Sequence, residues 1–237
     1  MLLLFDIDGT LLLRASDAHR DALYAALGEV HGVRDPGAIR AIDPSGRTDG
    51  EIARAILLAH GVSAERIDAG GAAVREAACR AYAELCPEDL SAAVAPGMTA
   101  LLAELAARNE EVRLALLTGN FEPVARLKLA RAGLGRFFAR GQGAFGSDGE
   151  DRAGLPAIAR RRGGRDGVSH PRERTVVIGD TPRDIACARA DGVRCLAVAT
   201  GRFSEAELAA ADGVARDATA LRPLLETALA SLPCRTR

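Results

Sequence analysis

The sequence predicts an α/β fold: a doubly wound parallel sheet with a block of α-helices inserted after its first strand. Three observations predict it. Short apolar runs recur at 2–5, 112–117, 175–178 and 193–198, with Arg113, Thr175 and Arg194 near their starts, and near-continuous runs suit strands buried on both faces. Each run is followed by a helix-like segment, the alternation that builds a parallel sheet. The alternation fails once, between about Arg14 and Val94, where the chain is Ala-rich and nearly without strand signal.

The elements follow in order. The first strand, 2–5, runs into Asp6-Ile7-Asp8-Gly9-Thr10. Helices over 16–30, 48–60 and 63–86 fill the insert, the second opened by a capping box of Thr48 and Glu51. Ala95-Pro96-Gly97-Met98 punctuates the chain, and a helix over 99–108 leads into the strand 112–117, which ends "LLTGN". A helix starts near Phe121, and Arg152 stands where another begins. The strand 175–178 ends "VVIGDTPRD", with Thr181 as N-cap, Pro182 as first helical residue and Asp184 as the box acid. The Gly- and Arg-rich stretch 160–174 reads as a surface loop and the tail 231–237 as frayed. The domain division is therefore 1–13 with 95–237 as one unit, and 14–94 as the helical insert.

Composition narrows the function classes. A chain of 237 residues, 48% of them hydrophobic, can bury a sizeable core. A net charge of −1 gives no global field toward nucleic acid or anionic lipid. Aromatic residues are 3% of the chain and Trp is absent, which argues against base-stacking platforms. The stretch 160–174 interleaves Asp166 and Glu173 among its arginines and has no aromatic, so RNA is not expected there either. No apolar run approaches 18 residues, so no membrane span is expected. The first apolar run lacks a basic leader and does not read as a signal peptide. Five cysteines (Cys79, Cys86, Cys187, Cys195, Cys234) without CxxC spacing read as reduced, mostly buried thiols of a cytoplasmic protein. Monomer and homodimer both stay open.

Chemistry concentrates at the strand tips. Asp6 and Asp8, two apart, face one locus at the carboxyl end of the first strand, the edge where open α/β sheets bind ligands. Two carboxylates there repel and call for a cation; oxygen-only ligands favour Mg²⁺. A carboxylate can also act as a nucleophile toward phosphorus while its neighbour moves protons. At the second tip Thr118 offers a hydroxyl, Gly119 a close backbone approach, and the helix near Phe121 free N–H groups for a phosphate; capping of that helix by Thr118 or Asn120 is the rival role. Asp180 ends a further strand. For a basic partner the choice is Arg152 over Lys128, the only lysine. Lys128 lies seven residues into the helix after Asn120, roughly 10 Å from its mouth, and reads as part of a solvated face. Arg47, just before Thr48, has no evident structural duty and is a candidate to grip a substrate carboxylate or second phosphate; His19 and Arg20 are weaker candidates.

The ordered set "DIDGT", "LLTGN", Arg152 and "GDTPRD" resembles the haloacid dehalogenase superfamily, more narrowly its helical-cap phosphatase branch, similar to phosphoglycolate phosphatase-like proteins. The resemblance spans Asp6 to Asp184 by motif and nearly the whole chain by its helices. It implies a Rossmann-like core with the insert as a cap. It implies Asp6 as nucleophile and Mg²⁺ ligand, and Asp8 as general acid/base that gives the metal its backbone carbonyl. Thr118 and the Gly119 amide, with Asn120 beside them, would bind the phosphoryl group. Arg152 would fill a position more often Lys, and Asp180 and Asp184 would bind Mg²⁺. True dehalogenases lack the second acid, present here as Asp8. Phosphonatases need a cap lysine, and 14–94 contains none. The expected function is a Mg²⁺-dependent phosphatase of a small phosphorylated metabolite; the alternatives are a phosphomutase on the same core and a phospho-Asp signalling receiver.

Overall fold

The computed structural model describes residues 1–35 and 42–230. The elements run β1 (Leu2–Phe5), α1 (Asp17–His31), α2 (Asp49–Ala59), α3 (Ala64–Leu85), α4 (Met98–Ala107), β2 (Arg113–Leu116), α5 (Glu122–Arg131), α6 (Leu155–Arg162), β3 (Thr175–Gly179), α7 (Pro182–Ala190), β4 (Arg194–Val198), β5 (Gly213–Ala215) and α8 (Ala218–Ala230). The expected strands and helices form, shifted by a residue or two at their ends, except that the helix expected from Arg152 starts three residues later, at Leu155. β5 was not foreseen: it is three residues long, half-buried for two of them, and carries no apolar run.

All pairings are parallel, in the order β2-β1-β3-β4-β5. Phe5 of β1 pairs with Leu116 of β2 on one side and Ile178 of β3 on the other. That register brings the residues after all three strands to one edge. Alternation along β1 divides the core. Leu3 and Phe5 join an apolar cluster with α4, α5, α8 and the insert, while Leu2 and Leu4 join a second with α6 and α7. Both faces of the sheet are therefore covered, which is why its strands are largely apolar.

Two of the insert's helices, α2 and α3, begin at side-chain caps, while Ser16 ahead of α1 makes no such bond. Thr48 Oγ1 accepts the Glu51 N–H at 3.1 Å and Ser63 Oγ the Arg66 N–H at 3.4 Å. The capping box expected of Thr48 and Glu51 is only half formed, because the Glu51 carboxylate pairs with Arg47 instead. At α7 the box of Thr181 and Asp184 is complete, with Pro182 in its first turn.

The reading of 160–174 as a loop is corrected at its start. Arg160, Arg161 and Arg162 end α6. Arg160 is buried and holds Asp191 through Nε (2.5 Å) and Nη2 (2.9 Å), a bidentate pair that a charge count along the sequence does not show. Cys86, Cys187 and Cys195 are buried, Cys79 is half-buried, and all four are free thiols; Cys234 and the tail 231–237 lie outside the described residues. No helix among the described residues is long and apolar enough to cross a membrane.

Candidate active site

The strand register delivers Asp6, Thr118 and Asp180 to one edge of the sheet, and a cavity of about 610 Å³ opens there beneath the insert. Asp6, Asp8, Gly119, Asn120, Arg152, Asp180 and, from the insert side, Arg47 also line it. Asp184 lies just behind, fully buried in the first turn of α7.

Asp6 follows β1 directly and its N–H donates to the Ile178 carbonyl at 2.9 Å, so β3 fixes its backbone. Asp180 accepts the Thr10 hydroxyl at 3.1 Å. Asp184 Oδ2 accepts the Thr181 N–H at 3.0 Å and hydroxyl at 2.7 Å. One carboxylate oxygen from each of Asp6, Asp180 and Asp184 lies within 4.8 Å of the others, a group that can hold a metal ion. Gly9, at φ +88°, admits this crowding: a Cβ there would sit 2.1 Å from Asp180 Oδ2.

Three buried acids need compensation, and one side chain supplies it. Arg152, in a 3₁₀ turn (Arg152–Gly154) ahead of α6, pairs with Asp184 and stands 3.4 Å from Asp6. Burial alone would weaken its charge, but Asp184 and Asp6 outweigh that and hold the guanidinium charged. One cation is not enough for three acids. Burial, then the neighbouring carboxylates against the pull of Arg152, push Asp6 up to about 7. Burial, then Asp184 and Asp6, push Asp180 up to about 8. An all-oxygen set with surplus negative charge suits a hard divalent cation. Arg152 Nε and Asn120 Oδ1 are buried and lack partners among the described residues, so the site also holds an unused donor and an unused acceptor.

Asp8 belongs to a second constellation. Lys128 Nζ lies 2.7 Å from both its carboxylate oxygens, and Asn120 Nδ2 donates to it at 3.0 Å. Burial pushes Asp8 up, but the Lys128 charge and these hydrogen bonds prevail and hold it below the usual carboxylate range. The solvated-face reading of Lys128 is thus overturned, since its side chain is 0% exposed. Axial rise measured the distance to the helix mouth, whereas helical side chains lean toward the N-terminus and Asp8 lies alongside α5. The Lys128 ammonium also meets His19 Nδ1 at 3.1 Å. An ammonium only donates, so Nδ1 accepts and the ring proton sits on Nε2, which donates to Asp49 Oδ2 at 3.0 Å. Tyr82 from α3 packs edge-on against the His19 ring at 5.6 Å.

Asp49 was not singled out in the sequence, because an acid in a helix's first turn is ordinary. Here its carboxylate takes the Phe121 N–H at 2.7 Å, and Ser147 Oγ takes the Glu122 N–H at 2.8 Å. The mouth of α5, expected to offer open N–H groups, is therefore partly filled by the protein's own oxygens. Gly119 is likewise constrained by protein: a Cβ there would lie 2.0 Å from the Arg47 carbonyl, and the Asp49 N–H donates to the Gly119 carbonyl at 2.9 Å. Arg47 has the structural duty the sequence did not reveal, with its guanidinium on Glu51 and its Nε on the Asp43 carbonyl at 2.9 Å. Thr118 is buried, and its Oγ1 accepts the Asn120 N–H at 3.3 Å.

Comparisons with known proteins bear on the family and the fold. The family model described as haloacid dehalogenase-like hydrolase matches residues 3–189. A phosphoglycolate phosphatase of Rhodospirillum rubrum is 30% identical over 206 residues, 85% of this chain and 80% of that protein. Among solved structures, CbbY from Rhodobacter sphaeroides in complex with phosphate superposes with a TM-score of 0.64 at 24% identity, covering 93% of this chain and 95% of that one. The β-phosphoglucomutase of Clostridium difficile gives 0.68 at 17% identity, covering 97% and 96%. Both structures share the fold.

Proposed function

The chain belongs to the haloacid dehalogenase-like hydrolases and is a phosphoric monoester hydrolase, and from that premise we propose that it cleaves a small phosphorylated metabolite through an aspartyl-phosphate on Asp6. The observation that carries the reading is the gathering of Asp6, Asp180 and Asp184, with the buried Arg152 against Asp6 and Asp184 and Asp8 lining the same cavity.

Asp6 attacks phosphorus in line as the ester P–O bond breaks. Asp8 takes a proton from the water that attacks the aspartyl-phosphate, releasing inorganic phosphate, and that proton is the one it gives to the departing alkoxide of the next ester. An ionised Asp8, held by Lys128 and Asn120, is the form that accepts the proton of that water. Arg152 and the Thr118 hydroxyl meet the equatorial phosphoryl oxygens, with Gly119 and Asn120 at the same tip. Asp6, Asp180 and Asp184, with the Asp8 main-chain carbonyl, would hold Mg²⁺. When bound, that ion supplies the positive charge that lets carboxylate and phosphate approach. Residues 1–13 and 95–237 form the catalytic core in this reading and 14–94 the cap, which excludes bulk water. The likeness to the Rhodospirillum rubrum enzyme makes phosphoglycolate the first substrate to try.

The test compares wild type with Asp6→Asn on para-nitrophenyl phosphate in Mg²⁺, with folding checked by circular dichroism. Wild type should release free phosphate and the variant should lose on the order of 10³-fold or more. A folded variant that keeps wild-type turnover removes Asp6 as the nucleophile.

A further inference from the structure

Among the described residues five arginines line the cavity: Arg14, Arg20, Arg47, Arg152 and Arg202. Four are engaged. Arg20 holds Asp17 and Asp21, Arg47 holds Glu51, Arg152 holds Asp184 and Asp6, and Arg202 holds Asp43 at 2.8 Å. Arg14 alone has neither ion pair nor hydrogen bond among the described residues. It is exposed on the cavity rim, in the link between the first strand tip and α1.

Its backbone is also unusual. Arg14 has φ +58°, the left-handed region that a long side chain seldom occupies. The residues before it are pinned: the Leu13 N–H donates to the Ala93 carbonyl at 2.6 Å, and Leu12 bridges to Asp8 and Val94. A strained backbone held by anchored neighbours, with no ion pair or hydrogen bond for its side chain among the described residues, is a pattern that collects at ligand sites. Much of the wall beyond the acids is apolar, formed by Leu23, Tyr24, Ile42, Ile52 and Ile56. An anion on the far end of a substrate would have to displace a carboxylate to reach Arg20, Arg47 or Arg202. At Arg14 it displaces none. A cavity of about 610 Å³ leaves room for more than a phosphoryl group, since such volumes enclose ligands of drug size.

We propose that Arg14 is a specificity-determining residue that takes a second anionic group, carboxylate or phosphate, on the alcohol part of the substrate. The assignment rests on the phosphatase reading and moves the anion grip expected of Arg47 to a guanidinium that is free. The test uses Arg14→Gly, which removes the cation and suits the left-handed backbone, and Arg14→Lys, which keeps the charge. Each is assayed against phosphoglycolate, a sugar bisphosphate and para-nitrophenyl phosphate, whose leaving group carries no second anion. The readout is the ratio of kcat/KM on each anionic substrate to kcat/KM on the nitrophenyl ester. In Arg14→Gly the ratio for the preferred anionic substrate should fall at least about tenfold, carried by KM, and Arg14→Lys should recover part of it. The arm that falls tells carboxylate from phosphate. A ratio unchanged within about twofold, or a wild type that favours the nitrophenyl ester over both anionic substrates, overturns the assignment while leaving the phosphatase reading intact. A wild type that hydrolyses none of the three overturns both.

Discussion

Replacing Lys128 by Met removes one charge from the Lys128–Asp8 pair while keeping a long apolar stem. At 2.7 Å from both Asp8 oxygens, the ammonium gains roughly 6 kcal/mol at an effective dielectric of about 20. Desolvating the two ions offsets much of that. What remains on deletion is the cost of stranding the other charge, roughly 3–5 kcal/mol for a buried pair. The Asp8 side chain keeps 29% exposure, so water re-solvates part of it and the expected loss is about 3 kcal/mol. For a chain of this length that is a fall in Tm of roughly 6–12 °C. The assay is a double-mutant cycle by denaturant unfolding, with Lys128→Met, Asp8→Asn and the pair. The pair should lose about 2 kcal/mol less than the sum of the singles, because neither charge is then left alone. Additivity within about 0.5 kcal/mol would refute the coupling and return Lys128 to a packing role.

The acid cluster predicts a pH dependence whose sign is fixed. Asp6 and Asp180 titrate near 7 and 8 in the fold against 3.8 in the unfolded chain, so between about 4 and 8 the folded state binds more protons. Stability in a chelator should therefore fall as pH rises across that window, and excess Mg²⁺ should abolish the slope while releasing protons. A Tm in chelator that is flat or rises with pH contradicts the cluster's geometry. Gly119→Ala should force the insert's loop off the core, because its Cβ would lie 2.0 Å from the Arg47 carbonyl. The expected loss is about 1–3 kcal/mol, with faster amide exchange over 46–52 and unchanged protection in β1 and β3; equal exchange in both proteins would sink it.

Much of the site was legible because strands in this fold announce their ends. An unbroken apolar run followed by Asp6, Thr118 or Asp180 gives both the burial and the edge where the side chain emerges. Caps did the same for two helices: Thr48 and Thr181 each accept the N–H expected of them. What was hidden is lateral. Sequence spacing measures distance along a helix, whereas Lys128 meets Asp8 because α5 lies beside β1's extension. Gly119 was read for an anion's approach, yet it is the insert's backbone that comes close. Asp49 and His19 acquire their partners only through the packing of α1 and α2 over the core, which no local pattern encodes.

Lys128 is also the only side-chain amine in the sequence, and it is sealed at 0% exposure. Acylating reagents aimed at lysine should leave the native side chains untouched and mark this one position only when α5 parts from the tip of β1. The protein thus carries a built-in chemical reporter, read as the mass increment of the peptide that contains Lys128, for opening of the very region where its acids are assembled.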